Sequence, residues 1–300
     1  MTGYVQLAEA AALGAAGDVT QAHLDAATMQ ANAWMKRPEG LIYEVDSTGN
    51  PVCMAGLAQR ASFTAPPLTP GLNVQASLGG PVAMLQVGDV LVADRGAASA
   101  EALTVAAIQG QTVTFRRVRN AHDGTQTLQY GLVLTEERST ARDRALVRLS
   151  RTKIASVLSG VGRYGYQRRG DIPTVDPNTL FALAVTFGGP PVWELFDPSQ
   201  AAINAESGQV WVPMGMLMAN YSDVRLHYVA GFPGSVPNDV KTAVVKIANQ
   251  LAFSSDGVTL KSENFGGMQY ERFGGRLEGG GVVDQATAEL LQPYKVMVMA

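Results

Sequence analysis

Gly160-Val-Gly-Arg-Tyr-Gly165 matches the GxGxxG spacing of dinucleotide-binding loops. That chemistry needs the glycines after a strand and at the start of a helix, so that a pyrophosphate meets the helix N-terminus. Here a helical period precedes them and Gln167-Arg-Arg-Gly170 follows. The order is reversed, so the segment reads as a helix stop with glycine in the left-handed region. His23, His122 and His227 are the only histidines, spread over a helix, a turn and a strand without metal-ligand spacing. Each reads as an ordinary surface or hydrogen-bonding residue. Cys53 is the single cysteine, and neither it nor any serine lies in a nucleophile motif. Glu136-Glu137 reads as a solvated helix start placed favourably on the helix dipole. No cofactor or metal is expected, and the chain reads as a non-enzyme.

One charge cluster stands out. Between Arg138 and Arg169, nine basic residues face only Asp143, although the whole chain carries −3. Leu146, Leu149, Ile154, Val157, Leu158 and Val161 give this stretch a helical period from Glu136 to Val161. A basic helix of this kind has three readings: a solvated face, a pairing with an acidic partner or neighbouring subunit, or contact with the phosphates of double-stranded DNA. Its contact residues would be Arg144, Arg148, Arg151, Lys153, Arg168 and Arg169. Aromatic residues are limited to Tyr164 and Tyr166, which argues against stacking on single strands. We place the acidic partner ahead of DNA.

The elements that must position these residues fall into blocks. Val5 to Ala16 and then a helix capped by Asp18, with Gln21 completing the box, start the chain. Leu24, Ala27, Ala31 and Trp34 or Met35 form the apolar stripe of the second helix, Lys36 and Arg37 close it, and Pro38 ends it. Residues 40–80 read as irregular, broken by Thr48-Gly-Asn-Pro51 and the prolines at 66–70. From Val82 to Leu134 the period changes to two. Val90–Ala93, Leu103–Ile108, Thr112–Val118 and Leu128–Leu134 are candidate strands, with turns at Gln109-Gly110 and Asp123-Gly124. Short strands return at Leu180–Phe187, Val192–Phe196 and Gln209–Val212. Val224, Leu226, Tyr228 and Ala230 then alternate along a strand that Gly231-Phe-Pro-Gly234 stops. Pro237 opens the best-patterned helix, whose stripe is Val240, Val244, Ile247 and Leu251. A last short helix begins near Asp284 and stops at Pro293.

Composition sets outer limits. Three hundred residues with 46% hydrophobic content allow one large or two ordinary domains with a real core. One cysteine excludes an internal disulfide framework and fits synthesis in a reducing cytoplasm. The N-terminus lacks the pattern of a signal peptide, and no apolar run is long enough for a membrane span. The C-terminal segment is glycine-dense, yet Met268, Tyr270, Phe273, Tyr294, Val296 and Val298 are too apolar for a solvated tail. They suit an arm that orders on a partner by strand addition or groove insertion.

Tyr228-Val-Ala-Gly231 followed by Val236-Pro-Asn-Asp-Val240 resembles the head–tail connector (adaptor) proteins of tailed bacteriophages. Leu260-Lys-Ser-Glu263, the glycine-rich Phe265–Tyr270 and Leu290-Leu-Gln-Pro-Tyr294 follow in the family's order, and Tyr4-Val-Gln-Leu-Ala-Glu9 resembles its start. The similarity covers about residues 1–40 and 205–300. It implies a virion structural protein of the neck, made in the host cytoplasm. Such a protein forms a ring, commonly a dodecamer, beneath the portal protein, continues the channel for genomic DNA and offers a platform to a tail or tail-completion protein. In family terms Phe265 to Ala300 would reach the portal; the helix bearing Val240, Val244, Ile247 and Leu251 is our own candidate for contact with neighbouring subunits. The expected fold is α+β: a helical, connector-like bundle from residues 1–62 and 232–300, an inserted antiparallel barrel or sandwich at 63–135, and a basic helix plus β-rich segment at 136–231. Two other functions compete. One is a carbohydrate- or receptor-binding β module with an aromatic groove at Trp193 and Trp211. The other is a nucleotide-binding enzyme resting on Gly160–Gly165.

Overall fold

The computed structural model describes residues 3–125, 127–140, 145–164, 178, 193–215, 220–254, 262–265, 268–271 and 283–296. The chain divides into two compact units, Met1–Gly40 with Ser235–Val298, and Leu41–Gly234.

The first unit joins the two ends of the chain. Helix α1 (Leu7–Ala12) and helix α2 (Gln21–Met35) come from the N-terminal segment. Helix α3 (Asn238–Ser254) and helix α4 (Gln285–Leu291) come from the C-terminal one. Thr20, not Asp18, caps α2: its hydroxyl accepts from the His23 amide while the His23 ring accepts from the Thr20 amide. The box is therefore Thr-x-x-His, satisfying two otherwise orphaned donors. Leu24, Ala27, Ala31 and Met35 are fully buried, as their spacing predicts, and α2 packs on α3. Lys36 ends α2 in the left-handed region, at φ 57°. On α3, Val240, Val244 and Ile247 are fully buried, together with Ala243, Val245 and Ala248, and Leu251 is half-buried. A hairpin of β17 (Ser262–Phe265) and β18 (Met268–Glu271) also belongs here.

The second unit is built of strands. Strands β3 (Ala61–Phe63), β4 (Gly71–Ser77), β5 (Val90–Ala93), β6 (Glu101–Gln109), β7 (Thr112–Val118) and β8 (Leu128–Tyr130) form an antiparallel sheet in the order β3-β8-β5-β6-β7-β4. Its two outer strands are joined just past their ends by paired backbone bonds between Thr64 and Gly79, 3.0 and 2.9 Å, which close the sheet into a barrel. Phe63, Leu91, Leu103, Val105, Val113, Phe115 and Leu128 fill it. Strand β5 reads as a continuous apolar run because both faces are covered: Leu91 and Ala93 face the barrel core, and Val92 meets Val52, Cys53 and Leu132.

Beside the barrel lies a four-stranded sheet in the order β12-β11-β15-β9, from β9 (Leu134–Ser139), β11 (Ile154–Arg163), β12 (Glu194–Phe196) and β15 (Asp223–Ala230). A three-stranded sheet runs β10-β14-β13, from β10 (Leu146–Arg148), β13 (Ala202–Asn204) and β14 (Gln209–Trp211). A third small sheet orders β16 (Phe232–Pro233), β1 (Ile42–Val45) and β2 (Pro51–Met54), with β1 and β16 parallel. Gly231 makes that last pairing possible. It adopts φ 128°, and any side chain there would run into the Leu41 carbonyl.

This architecture corrects the expected fold. The protein is predominantly β-sheet, and it is not a helical-bundle scaffold. The basic helix does not form: its residues supply β9, β10 and β11 instead. The helical period was produced by bulges. Register shifts between Ile154 and Ser156, and again between Val157 and Ser159, insert residues into β11. Two buried positions, Ile154 and Val157, thereby fall three apart, as on a helix face. Residues 40–80, expected to be irregular, contain β1 to β4, whose shortness and flanking prolines hid their alternation. The Leu180–Phe187 strand lies outside the described residues.

Candidate functional site

The fold gathers the titratable side chains into small clusters. In the barrel, His122 lies between two carboxylates that arrive on different strands. Its Nδ1 is 2.8 Å from Asp94 Oδ2, and its Nε2 is 3.5 Å from Glu101 Oε2. Asp94 also accepts from Ser99 Oγ at 2.8 Å, and Glu101 accepts from the amides of Arg119 and Asn120 at 2.8 to 3.0 Å. Glu101 and Asp94 raise the pKa of His122 against the opposing effect of burial.

A second histidine sits on the four-stranded sheet. His227 Nδ1 is 3.0 Å from Thr135 Oγ1, while Nε2 is 3.7 Å from Asp89 Oδ1, beyond hydrogen-bond distance. Burial, helped by the nearby Arg225 charge, pushes its pKa down to about 4. Burial likewise raises the pKa of Asp89, whose other oxygen accepts from the Gln86 amide at 2.8 Å.

Glu136 is the acceptor of a third cluster. It receives Tyr228 OH at 2.8 Å, Ser150 Oγ at 2.9 Å and the Ser150 amide at 3.0 Å, and it pairs with Arg138. It is thus a knot between β9, β15 and the turn after β10, not a solvated helix start. Cys53 is buried with its thiol 3.5 Å from Glu44, and burial pushes its pKa up to about 12. A thiol held neutral in this way is a poor nucleophile. Glu44 and Arg95 face a half-open cleft of about 370 Å³ lined also by Tyr43, Val52 and Ala97. The Arg95 fork is already spent on the Glu44 carboxylate, at 2.6 to 3.1 Å.

The GxGxxG glycines have a packing role. Gly160 and Gly162 lie in the middle of β11, where the rings of Phe196 and Tyr221 rest on the strand in the space a side chain would need. Tyr221 stacks further against Phe196 and Tyr164, with centroids 5.7 and 5.1 Å apart. This is neither a helix stop nor a phosphate loop; glycine lets an aromatic layer approach the backbone. Gly165 is outside the described residues.

The basic residues do not share one face. Lys153 pairs with Glu206, and Arg151 donates to Ser150 Oγ at 2.9 Å. Arg163 binds Asp223 at 3.1 Å, and Arg148 ends β10 on an exposed position. Arg144, Arg168 and Arg169 lie outside the described residues. Carboxylates delivered by β15 and by the β13–β14 turn offset part of the local charge excess of the sequence.

The expected arm is partly folded back. Tyr294 is buried, its OH donating to Asp239 Oδ2 at 2.7 Å, and the Val296 amide donates to the Met35 carbonyl at 2.9 Å. Phe265 pairs with Met268 across the β17–β18 turn, and Tyr270 with Glu263. Phe273 and Val298 are outside the described residues. The stripe Val240, Val244 and Ile247 is spent inside the subunit.

The three-stranded sheet offers an exposed face. Cross-strand pairing puts Leu146, Trp211 and Ala202 in one row and Arg148, Gln209 and Asn204 in the next. Trp211 is 41% exposed on this face, whereas Ile203, 37% exposed, pairs with Val210 and belongs to the opposite one. Trp193 does not join this row: it precedes β12 in another sheet, with the guanidinium groups of Arg163 and Arg225 at 4.9 and 4.5 Å from its ring centre.

Among the described residues, no group of three or more His, Cys, Asp or Glu side chains is arranged to hold a metal ion, and no helix is long and apolar enough to cross a membrane. Comparison with protein-family models, with curated proteins and with solved structures finds no match. Sequence reading missed the His122 and Glu136 clusters, whose members meet only through strand pairing. It also placed the cap of α2 two residues early, at Asp18–Gln21 instead of Thr20–His23.

Proposed function

We propose that this chain is a structural head–tail connector of a tailed bacteriophage, which assembles as a ring beneath the portal and passes the genome to a tail component. One observation carries the reading: three of the connector-like stretches, or the residue next to them, bond to one another across most of the chain. Tyr294 of the Leu290–Tyr294 motif donates to Asp239 of the Val236–Val240 motif at 2.7 Å. Lys241, next in line, pairs with Glu9 of the Tyr4–Glu9 motif at 2.7 Å. Tyr4 itself donates to Asn32 at 2.5 Å. Motifs that meet in one folding unit support a common origin better than motifs scattered along a sequence.

The portal-facing role then belongs to the β17–β18 hairpin and the residues around it, since Tyr294 and Val296 are engaged within their own unit. Removing residues 283–300 would take away α4 and the Tyr294 contact, so the test uses the full chain. Negative-stain microscopy and mass photometry, with the protein alone and mixed with portal rings of the same virus, should show rings of uniform subunit number seated on one end of the portal. A chain that stays monomeric and leaves portal rings bare overturns the reading. The exposed indole of Trp211, beside Arg148 and Gln209, favours a receptor- or carbohydrate-binding module as a second reading. Binding on a glycan array that Trp211→Ser abolishes would select it.

A further inference from the structure

We infer that His122 is a protonated staple that locks two loops across one end of the barrel and releases them as the pH rises. Each ring nitrogen faces a carboxylate, one in hydrogen-bond contact and one at ion-pair distance. Asp94, at the end of β5, takes Nδ1 at 2.8 Å, and Glu101, at the start of β6, faces Nε2 at 3.5 Å. The side chains of His122, Asp94 and Glu101 are 3%, 11% and 8% exposed, so water does not stand in for either partner. A neutral imidazole has one N–H and would turn a lone pair toward the other carboxylate. The imidazolium instead bonds Asp94 through Nδ1 and keeps its charge beside Glu101, although Nε2 makes no hydrogen bond at 3.5 Å.

The carboxylates around the ring favour that form, and the two nearby guanidinium groups are exposed or paired elsewhere. Asp94 and Glu101 touch it, and Asp123 follows it in the chain, its own pKa lowered by its bonds to Thr125 and, to a smaller extent, by the His122 charge. Arg119 offers Glu101 its backbone amide and is itself exposed. Arg95, beside Asp94 in sequence, is held by Glu44.

The staple sits where the barrel closes. The His122 backbone exchanges bonds with Leu68, 3.0 and 2.8 Å, and Leu68 lies in the connection that follows the Thr64–Gly79 closure. Gly124, two residues on, packs against the backbone of Ala65 to Pro67. Loss of the ring proton therefore loosens residues 64–70 and 119–125 together. The stabilisation is complete below the ordinary histidine pKa, about 6.5, and is lost as pH rises through the higher folded-state value.

The test is nitrogen-15 NMR of His122 in the intact protein, with amide hydrogen exchange at pH values on either side of its titration. The expected result is a doubly protonated ring at neutral pH. On deprotonation, protection of the Leu68, His122, Arg119 and Asn120 amides should fall about fivefold, the worth of one hydrogen bond, while Val105 and Val113 keep theirs. His122→Gln should abolish that pH dependence. A neutral, single-tautomer ring at neutral pH overturns the proposal, as does protection that is unchanged across the titration. Should the variant fail to fold, the wild-type ring spectrum decides alone.

Discussion

His122 and His227 are both almost inaccessible, at 4% and 1% exposure, yet their surroundings drive protonation in opposite directions. The difference lies in carboxylate distance and number. His122 has one carboxylate at 2.8 Å and another at 3.5 Å, both already fixed by donors of their own. His227 has a hydroxyl on one nitrogen and a single carboxyl at 3.7 Å, itself disposed toward its neutral form by burial. Desolvation alone expels the proton; two anchored carboxylates overcome it. Burial is thus a poor guide to charge state unless the partners are counted.

The largest effect should come from removing the anchor of the charged site. Glu101→Ala takes the acceptor from the part-buried Arg119 and Asn120 amides and leaves buried His122 with one carboxylate, which should cost about 3–5 kcal/mol in urea denaturation. Next is the acid response of the neutral site. The unfolded chain takes up a proton near 6.5, and the folded one only near the depressed value of about 4 for His227. Stability from this group is full above about pH 6.5 and drains as pH falls toward 4, about 3 kcal/mol in all. Asp89, raised by burial, works in the opposite sense and offsets part of this at the acid end. Denaturation midpoints across pH should show the loss in the wild type and a flatter curve in His227→Gln. A smaller cost, about 1–2 kcal/mol, is expected for Thr135→Val, which leaves His227 Nδ1 without its partner. The smallest stability effect is reserved for a position outside both sites: Trp211→Ser should stay within about 0.5 kcal/mol. If ring assembly uses the exposed row, the same variant should reduce the ring fraction in mass photometry.

Regular alternation made much of the barrel legible. Val90–Ala93 and Thr112–Val118 form strands over the ranges their period gives, and a turn at Gly110-Gln111, one residue on from the expected Gln109-Gly110, joins β6 to β7. The stripes of α2 and α3 were equally plain, because tertiary packing there follows the helical period. What failed was anything set by pairing. The β11 bulges gave a strand the spacing of a helix, and the charge excess of residues 138–169 concealed that Asp223 and Glu206 would cross the sheets to meet it. The glycines of Gly160-Val-Gly162 are informative only once Phe196 and Tyr221 are known to lie on them. The His122 site was unreadable for the same reason. Its three members span residues 94–122 and meet only when β5, β6 and the segment after β7 are in register.

The parallel pairing of β1 with β16 bears on how this chain matures on the ribosome. The unit made from the chain ends cannot be completed until its second half has been synthesised, after about 190 intervening residues. If those residues were an unstructured tether, bringing the ends together would cost about 5 kcal/mol of chain entropy. Instead Ile42 pairs with Phe232, and the Phe232 amide reaches the Leu41 carbonyl at 2.8 Å. The β unit, once folded, delivers its entry and exit points side by side. The long insertion then acts as a short loop, and the late-emerging C-terminal helices meet an N-terminal partner already held nearby.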